Sequence, residues 1–234
     1  MKLKNFALGI IAAASVAGLS SCNSNDNPLP PTVIYTDIVT IAAMNADGSA
    51  FTFQKENDSP LVTLTTKQTL SPDHFKVNTR AVISYTSESD HATSGPVNLL
   101  AAAETYGRGD APATVSAEQA GNWETSPVDN IIVQRSGQYV NVVFTAYTDS
   151  TPKLCRVVLD EATLNDEYPT LYLLFEPQEF GINPGNYAIY MSYSLAGIFA
   201  QSTSKGVEVV YKDNTNTTKS VQLDKMSSGL TPSN

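Results

Sequence analysis

From Val33 onward the apolar residues fall into short runs rather than helical stripes. Val, Ile, Thr, Tyr and Phe recur in stretches separated by Gly, Asn, Asp, Ser and Pro, the punctuation of β-strands and turns. No window sustains a 3.6-residue period over the length of a helix. The first set of predicted strands is Val33–Met44, Ala50–Gln54, Leu61–Thr66, Arg80–Thr86 and Val97–Thr105. Asp47-Gly48 forms the first hairpin turn, where a primed turn needs the positive φ that Gly supplies. "LLAAAET" has helical propensity, but its place at the end of a strand series favours a strand. A second set follows at Ile131–Arg135, Tyr139–Tyr147, Leu154–Leu159, Thr170–Phe175, Tyr187–Leu195, Gly206–Lys212 and Ser220–Leu223. Alternation there puts Val140, Val142, Phe144 and Ala146 on one face, and Tyr187, Ile189, Met191, Tyr193 and Leu195 on another. That is the pattern of sheets packed on one side and wet on the other.

Tyr106–Asp129 divides the two sets. It is rich in Gly, Ala and Pro and reads as a connection, with room for one helical turn. The simplest architecture is all-β: an N-terminal five-stranded OB-like barrel over 33–106, a linker over 107–129, and an antiparallel β-sandwich over 130–224. Residues 225–234 form a polar tail that frays.

The start of the chain has a different pattern. Lys2 and Lys4 precede an uncharged apolar run, Phe6–Leu19, and then "LSSC". A basic start, an apolar core and small residues before a cut are the marks of a secretory signal. The run is shorter than the roughly 20 residues that span a bilayer. A cysteine directly after Leu-Ser-Ser resembles a bacterial lipobox. On that reading residues 1–21 are the signal peptide, cleavage falls between Ser21 and Cys22, and the Cys22 thiol takes the lipid (palmitate-type acyl chains). Two or more such chains hold a protein on a bilayer. "NSNDNPLPPT" follows as an extended, proline-stiffened tether over 22–32. Its single acid, Asp26, leaves both faces of the outer membrane open, the cell surface and the periplasmic side. A plain secreted protein is the competing reading.

Charge and cysteines narrow the function. Cleavage removes two of the 14 basic residues and none of the 23 acidic ones, which leaves a net charge of −11. Nucleic acid is excluded, since phosphate contacts need Lys and Arg clusters. With Cys22 lipidated, Cys155 has no partner and is expected as a buried filler in its apolar strand, not a nucleophile.

"DGSAFTF", "RAVISYT", "GQYVNVVFTAY", "KLCRVVLD", "LYLLFE" and "YAIYMSYSL", behind the lipoprotein start, together resemble the NigD-like lipoproteins. The resemblance runs over nearly the whole mature chain and rests on order and pattern. It implies an OB-type N-terminal domain and a C-terminal β-sandwich, and it carries over no catalytic or ligand residues.

Each chemical candidate has a plainer alternative. His74 and His91 lie in loops, each after an aspartate, and are expected exposed. There is no G-x-S-x-G elbow and no H-E-x-x-H, and the nitrogen and sulfur ligands are too few for zinc. Asp160, Glu161, Asp166 and Glu167 form an acidic loop without EF-hand spacing, read as solvated rather than as a Ca²⁺ site. Glu176 and Glu179 could pair for glycoside chemistry, but an acidic protein offers such pairs by chance. Arg108-Gly109-Asp110 is read as an accidental RGD in a connection. Asp149-Ser150-Thr151 resembles an O-glycosylation acceptor of some Gram-negative bacteria, with Ser150 as its site. Tyr35, Phe51, Phe53, Phe75 and Tyr85 supply aromatics for an OB-type binding face, with core packing the alternative for Phe51 and Phe53.

No catalytic residue, metal or cofactor is assigned. The reading is a non-enzymatic, lipid-anchored binding or accessory module for an unidentified protein or glycan. A fimbrial-type structural or adhesive subunit is the alternative, and a hydrolase of unknown type ranks third.

Overall fold

The structure is a computed structural model. It describes residues 33–225 apart from 92, 117, 120–124, 150 and 179–181. The chain is all-β, as the alternation predicts. Its first six strands are β1 (Tyr35–Asn45), β2 (Gly48–Phe53), β3 (Val62–Thr66), β4 (Arg80–Thr86), β5 (Gly95–Pro96) and β6 (Asn98–Glu104). They form one sheet in the order β5-β3-β2-β1-β4-β6. The pairing makes six strands rather than five, and among the described residues no strand ladder joins the edge strands β5 and β6. The sequence reading gave Val97–Thr105, which corresponds to β6, and missed the two-residue β5 that only Val97 separates from it. They pair with opposite edges: β5 runs parallel to β3, and β6 antiparallel to β4. The alanine-rich β6 is a strand because β4 offers it a full ladder of partners, which outweighs its helical propensity.

Alternate residues of this sheet fill its core. Val39, Ile41, Phe51, Phe53, Leu64, Ala81, Ile83 and Tyr85 are all buried together. Their strand neighbours Thr40, Thr52, Thr63 and Arg80 therefore face the other way. At the β1–β2 turn Gly48 has φ +143°, and a Cβ there would collide with the Thr66 carbonyl oxygen, so the turn requires glycine.

The second unit has two sheets. One holds β8 (Asp129–Ser136), β9 (Tyr139–Thr148) and β12 (Gly185–Ser194) in the order β12-β9-β8. The other holds β7 (Ala113–Val115), β10 (Leu154–Asp160), β11 (Thr170–Glu176), β13 (Gly206–Lys212) and β14 (Thr218–Asp224) in the order β14-β13-β11-β10-β7. The expectation of a purely antiparallel arrangement is corrected. β7 runs parallel to β10, and β13 parallel to β11, so this sheet is mixed. The parallel pairs follow from crossover connections. One carries a short helix, α1 (Ala196–Phe199), whose Ile198 caps the core.

Both sheets share one core. Val140, Val142, Phe144, Ile189 and Met191 from the first meet Val157, Leu171, Leu173, Phe175, Val207 and Val209 from the second. Phe144 and Phe175 meet edge to face at 5.2 Å between centroids. Burying side chains of this size stabilises by about 1.5–3 kcal/mol each. No helix among the described residues is long and apolar enough to cross a membrane.

Candidate functional site

A large groove lies on the first unit. It has a volume of about 1350 Å³ and runs between the β3–β5 edge and the segment 86–90. Its polar lining is mainly hydroxyls and amides, from Thr65, Thr66, Gln68, Ser87, Ser89 and Asn98, beside the apolar Val33, Pro96 and Val97. Among its described lining residues, Asp47, Glu88 and Asp90 outnumber one cation, Lys67.

Tyr35, at the start of β1, closes one end of the groove and belongs to a side-chain clasp. The His91 ring stacks on Tyr35 at 4.7 Å and 3°. His91 Nε2 lies 3.0 Å from Asp37 Oδ2, and the Tyr85 hydroxyl donates to the same oxygen at 2.7 Å. Burial first, and then the bond to Asp37, hold the Tyr85 phenol well above its ordinary range. The exposed-loop reading of His91 is therefore corrected. Its carboxylate is not the adjacent Asp90 but Asp37, two positions into β1. This ties the loop wall of the groove to the sheet. His74 is an exposed turn residue, as expected. Phe51 and Phe53 are core, and Phe75 packs against that core.

A second polar constellation joins the two units. Arg80 opens β4, faces away from the first core, and is covered by the second unit to 1% exposure. Its Nε donates to Ser192 Oγ at 3.0 Å, Nη1 to Thr40 Oγ1 at 2.9 Å, and Nη2 to the Ile38 carbonyl and to Asn141 Oδ1. The guanidinium also stacks on Tyr139 at 4.5 Å. Burial draws its pKa down to about 10, so it stays charged at neutral pH. Nearby, the buried Arg135 of β8 makes a bidentate pair with Asp58 at 2.9 and 3.1 Å. The backbone joins in too, with Asn57 N–H donating to Arg135 O and Gly137 N–H to Asn57 O.

The segment carrying RGD belongs to this junction. Arg80 N–H donates to Arg108 O, Tyr106 N–H to Tyr190 O, and Gly109 N–H to Ser192 O. Arg108 pairs its side chain with Glu104 at 2.7 Å. The tripeptide is a strap between the units, and its arginine is engaged within the chain.

The remaining candidates divide. Asp160 is buried and caps a 3₁₀ turn, Glu161–Thr163, by accepting from Ala162 N–H at 2.9 Å. Glu161, Asp166 and Glu167 are exposed. No group of three or more metal-ligating side chains forms among the described residues. Cys155 is half-buried as a residue, but its thiol turns inward against Met191 Sδ at 3.9 Å, and burial raises its pKa strongly. Glu176 pairs with Lys153. Glu179, Ser21, Cys22 and Ser150 lie outside the described residues. The sequence reading missed Arg80, Asp58 and Arg135. A lone arginine opening an otherwise apolar strand, in "TRAVISY", was the available signal.

No family model matches the sequence, and no curated protein matches it. Solved structures do share its fold. One is a protein of unknown function from Bacteroides vulgatus, at 16% identity and a TM-score of 0.58, covering 84% of this chain and 93% of that one. Another, from Bacteroides fragilis, is described as a lipoprotein, at 14% identity and a TM-score of 0.55, covering 84% of this chain and 100% of that one. A third is a NigD-like immunity protein from Bacteroides caccae, at 14% identity and a TM-score of 0.51, covering 82% of this chain and 93% of that one. The chain thus has the fold of a set of Bacteroides proteins that includes a NigD-like immunity protein.

Proposed function

We propose that the protein is a lipid-anchored, non-enzymatic binding module of the outer membrane, with its ligand site in the groove beside Tyr35. The groove carries the reading. It is large, its lining carries many neutral hydrogen-bonding groups, and its loop wall is fastened by His91 to Asp37. The histidine that could serve acid–base chemistry is stacked on Tyr35, and its carboxylate already takes the Tyr85 hydroxyl. That arrangement suits a clasp better than a proton shuttle. An uncharged ligand, a glycan or a peptide, suits the lining and the acidic surroundings. The names of the solved neighbours, a lipoprotein and an immunity protein, support an envelope role.

On this reading residues 33–106 are an OB-type barrel and 130–224 a β-sandwich. The continuous run β5–Val97–β6 supports the barrel, because it touches both β3 and β4, and Val97 N–H donates to Thr65 O at 2.8 Å. Cys22 carries the lipid, and Ser150 is the site for an O-linked glycan.

The test is ligand-observed NMR of the purified chain against soluble glycans and peptides, beside Tyr35→Ala and Asn98→Ala variants. Binding lost in both supports the reading. A hydrolase activity abolished by His91→Ala would overturn it. Labelling of cells with a palmitate analogue, in wild type and Cys22→Ala, tests the anchor separately.

A further inference from the structure

The register of the first sheet sets a row of hydrogen-bond donors across three strands. Thr52 on β2 pairs with Thr40 on β1, and Thr40 pairs with Arg80 on β4. All three face away from the first core, toward the turn between β8 and β9. There they line a cleft of about 270 Å³, closed on the far side by Ser136, Gln138 and Tyr139. Pockets for drug-sized ligands run to roughly 300–1,000 Å³, so this one suits a smaller occupant.

The charge of the cleft is not balanced. Arg80 is nine-tenths buried and more, yet every acceptor it reaches among the described residues is neutral: two hydroxyls, an amide oxygen and a carbonyl. A guanidinium has five N–H donors. Those bonds use four, which leaves one on Nη1, the nitrogen already bonded to Thr40. Among the described residues, none lining the cleft is acidic. A buried cation without a counter-charge costs free energy that an anion recovers. Arg135 makes the contrast, since it meets a carboxylate in the same junction.

We infer that this cleft is a site for a small oxyanion, held by Arg80 Nη1 and by the hydroxyls of Thr40 and Thr52. The inference is independent of the groove and of the proposed ligand. Guanidinium and hydroxyl donors suit both phosphoryl and carboxylate oxygens.

The experiment is isothermal titration of the full chain with inorganic phosphate and, separately, with acetate, in a chloride background at constant ionic strength. The expected result is a saturable one-to-one isotherm for at least one of them. Phosphate alone identifies phosphoryl chemistry, and acetate identifies carboxylate chemistry. Arg80→Met should abolish binding, and Thr52→Val should weaken it about two- to tenfold, as for one lost neutral hydrogen bond. Where circular dichroism shows that Arg80→Met does not fold, Thr40→Val and Thr52→Val decide. Absence of saturable binding to the wild type overturns the inference. So does binding that survives Arg80→Met, or binding unchanged in both threonine variants.

Discussion

Removal of the Asp58 carboxylate tests how the two units are held. Arg135 is 3% exposed and meets Asp58 through two parallel bonds at 2.9 and 3.1 Å. Its other contact is Nη1 to the Gly137 carbonyl, and Nε has no partner among the described residues. Asp58→Ala therefore leaves a buried cation with one neutral bond. Breaking a buried pair costs about 3–5 kcal/mol. The Asp58 side chain is 32% exposed, so water partly screens the pair, and a loss of about 2–3 kcal/mol follows. At roughly 2–4 °C per kcal/mol for a chain of this size, the melting temperature should fall by about 5–10 °C. Differential scanning calorimetry is the assay, because Asp58 and Arg135 sit on different units. Loosening the junction should broaden or split a transition that is single in the wild type. Adding Arg135→Met to Asp58→Ala removes the orphaned cation and should recover part of the loss. A single transition shifted by less than a degree would refute the argument, and so would a double variant as unstable as the sum of the singles.

Gly109→Ala tests the strap. Its φ is +85°, and the new Cβ would lie 2.6 Å from Arg80 Cγ, so a loss of about 2–4 kcal/mol is expected in chemical denaturation. Phe144→Ala opens a cavity against Phe175 in the second core and should cost about 3–5 kcal/mol in the same assay. Alkaline pH should destabilise the fold. Burial raises Cys155 from 9.0 and Tyr85 from 10.0, and pushes Tyr193 up to about 12. All three stay protonated in the native state while the unfolded chain ionises, so their stabilisation is whole below about pH 9 and lost as pH rises beyond it. Each contributes a slope of up to about 1.4 kcal/mol per pH unit. Tyr85→Phe should make the decline measurably shallower, and equal slopes would count against the assignment.

The strands were legible because each carries its own period of two. "YVNVVFTAY" announces the buried Val140, Val142 and Phe144 from local alternation alone. β7 was not legible, because three residues, Ala113–Val115, give no period and hold only by pairing with β10. The partners of the candidate sites were hidden for a related reason. His91 meets Asp37 from 54 positions away while Asp90 stands beside it in sequence. Asp58 and Arg135 are 77 apart. Such pairs leave no local pattern. The row of Thr40, Thr52 and Arg80 was half visible, since each sits out of phase with the apolar residues of its strand. Only the register shows that they line up.

The strap also bears on the choice between a binding module and a polymerising subunit. A subunit that lends or accepts a strand needs an open edge with free backbone donors and acceptors. β12 is the edge of its three-stranded sheet, and there the chain itself takes the place of a partner. Tyr106 N–H donates to Tyr190 O, Ser192 N–H to Tyr106 O, Gly109 N–H to Ser192 O, and Ser194 N–H to Asp110 O. Four backbone bonds thus run between the RGD-bearing segment and the outer side of β12. The same segment accepts from Arg80 N–H through Arg108 O and fills the space beside the Arg80 side chain with Gly109. To open β12 for another strand, the chain would have to release the junction that buries Arg80. Strand exchange at this edge would therefore cost the fold its connection between units, which counts against β12 as a donor-strand acceptor.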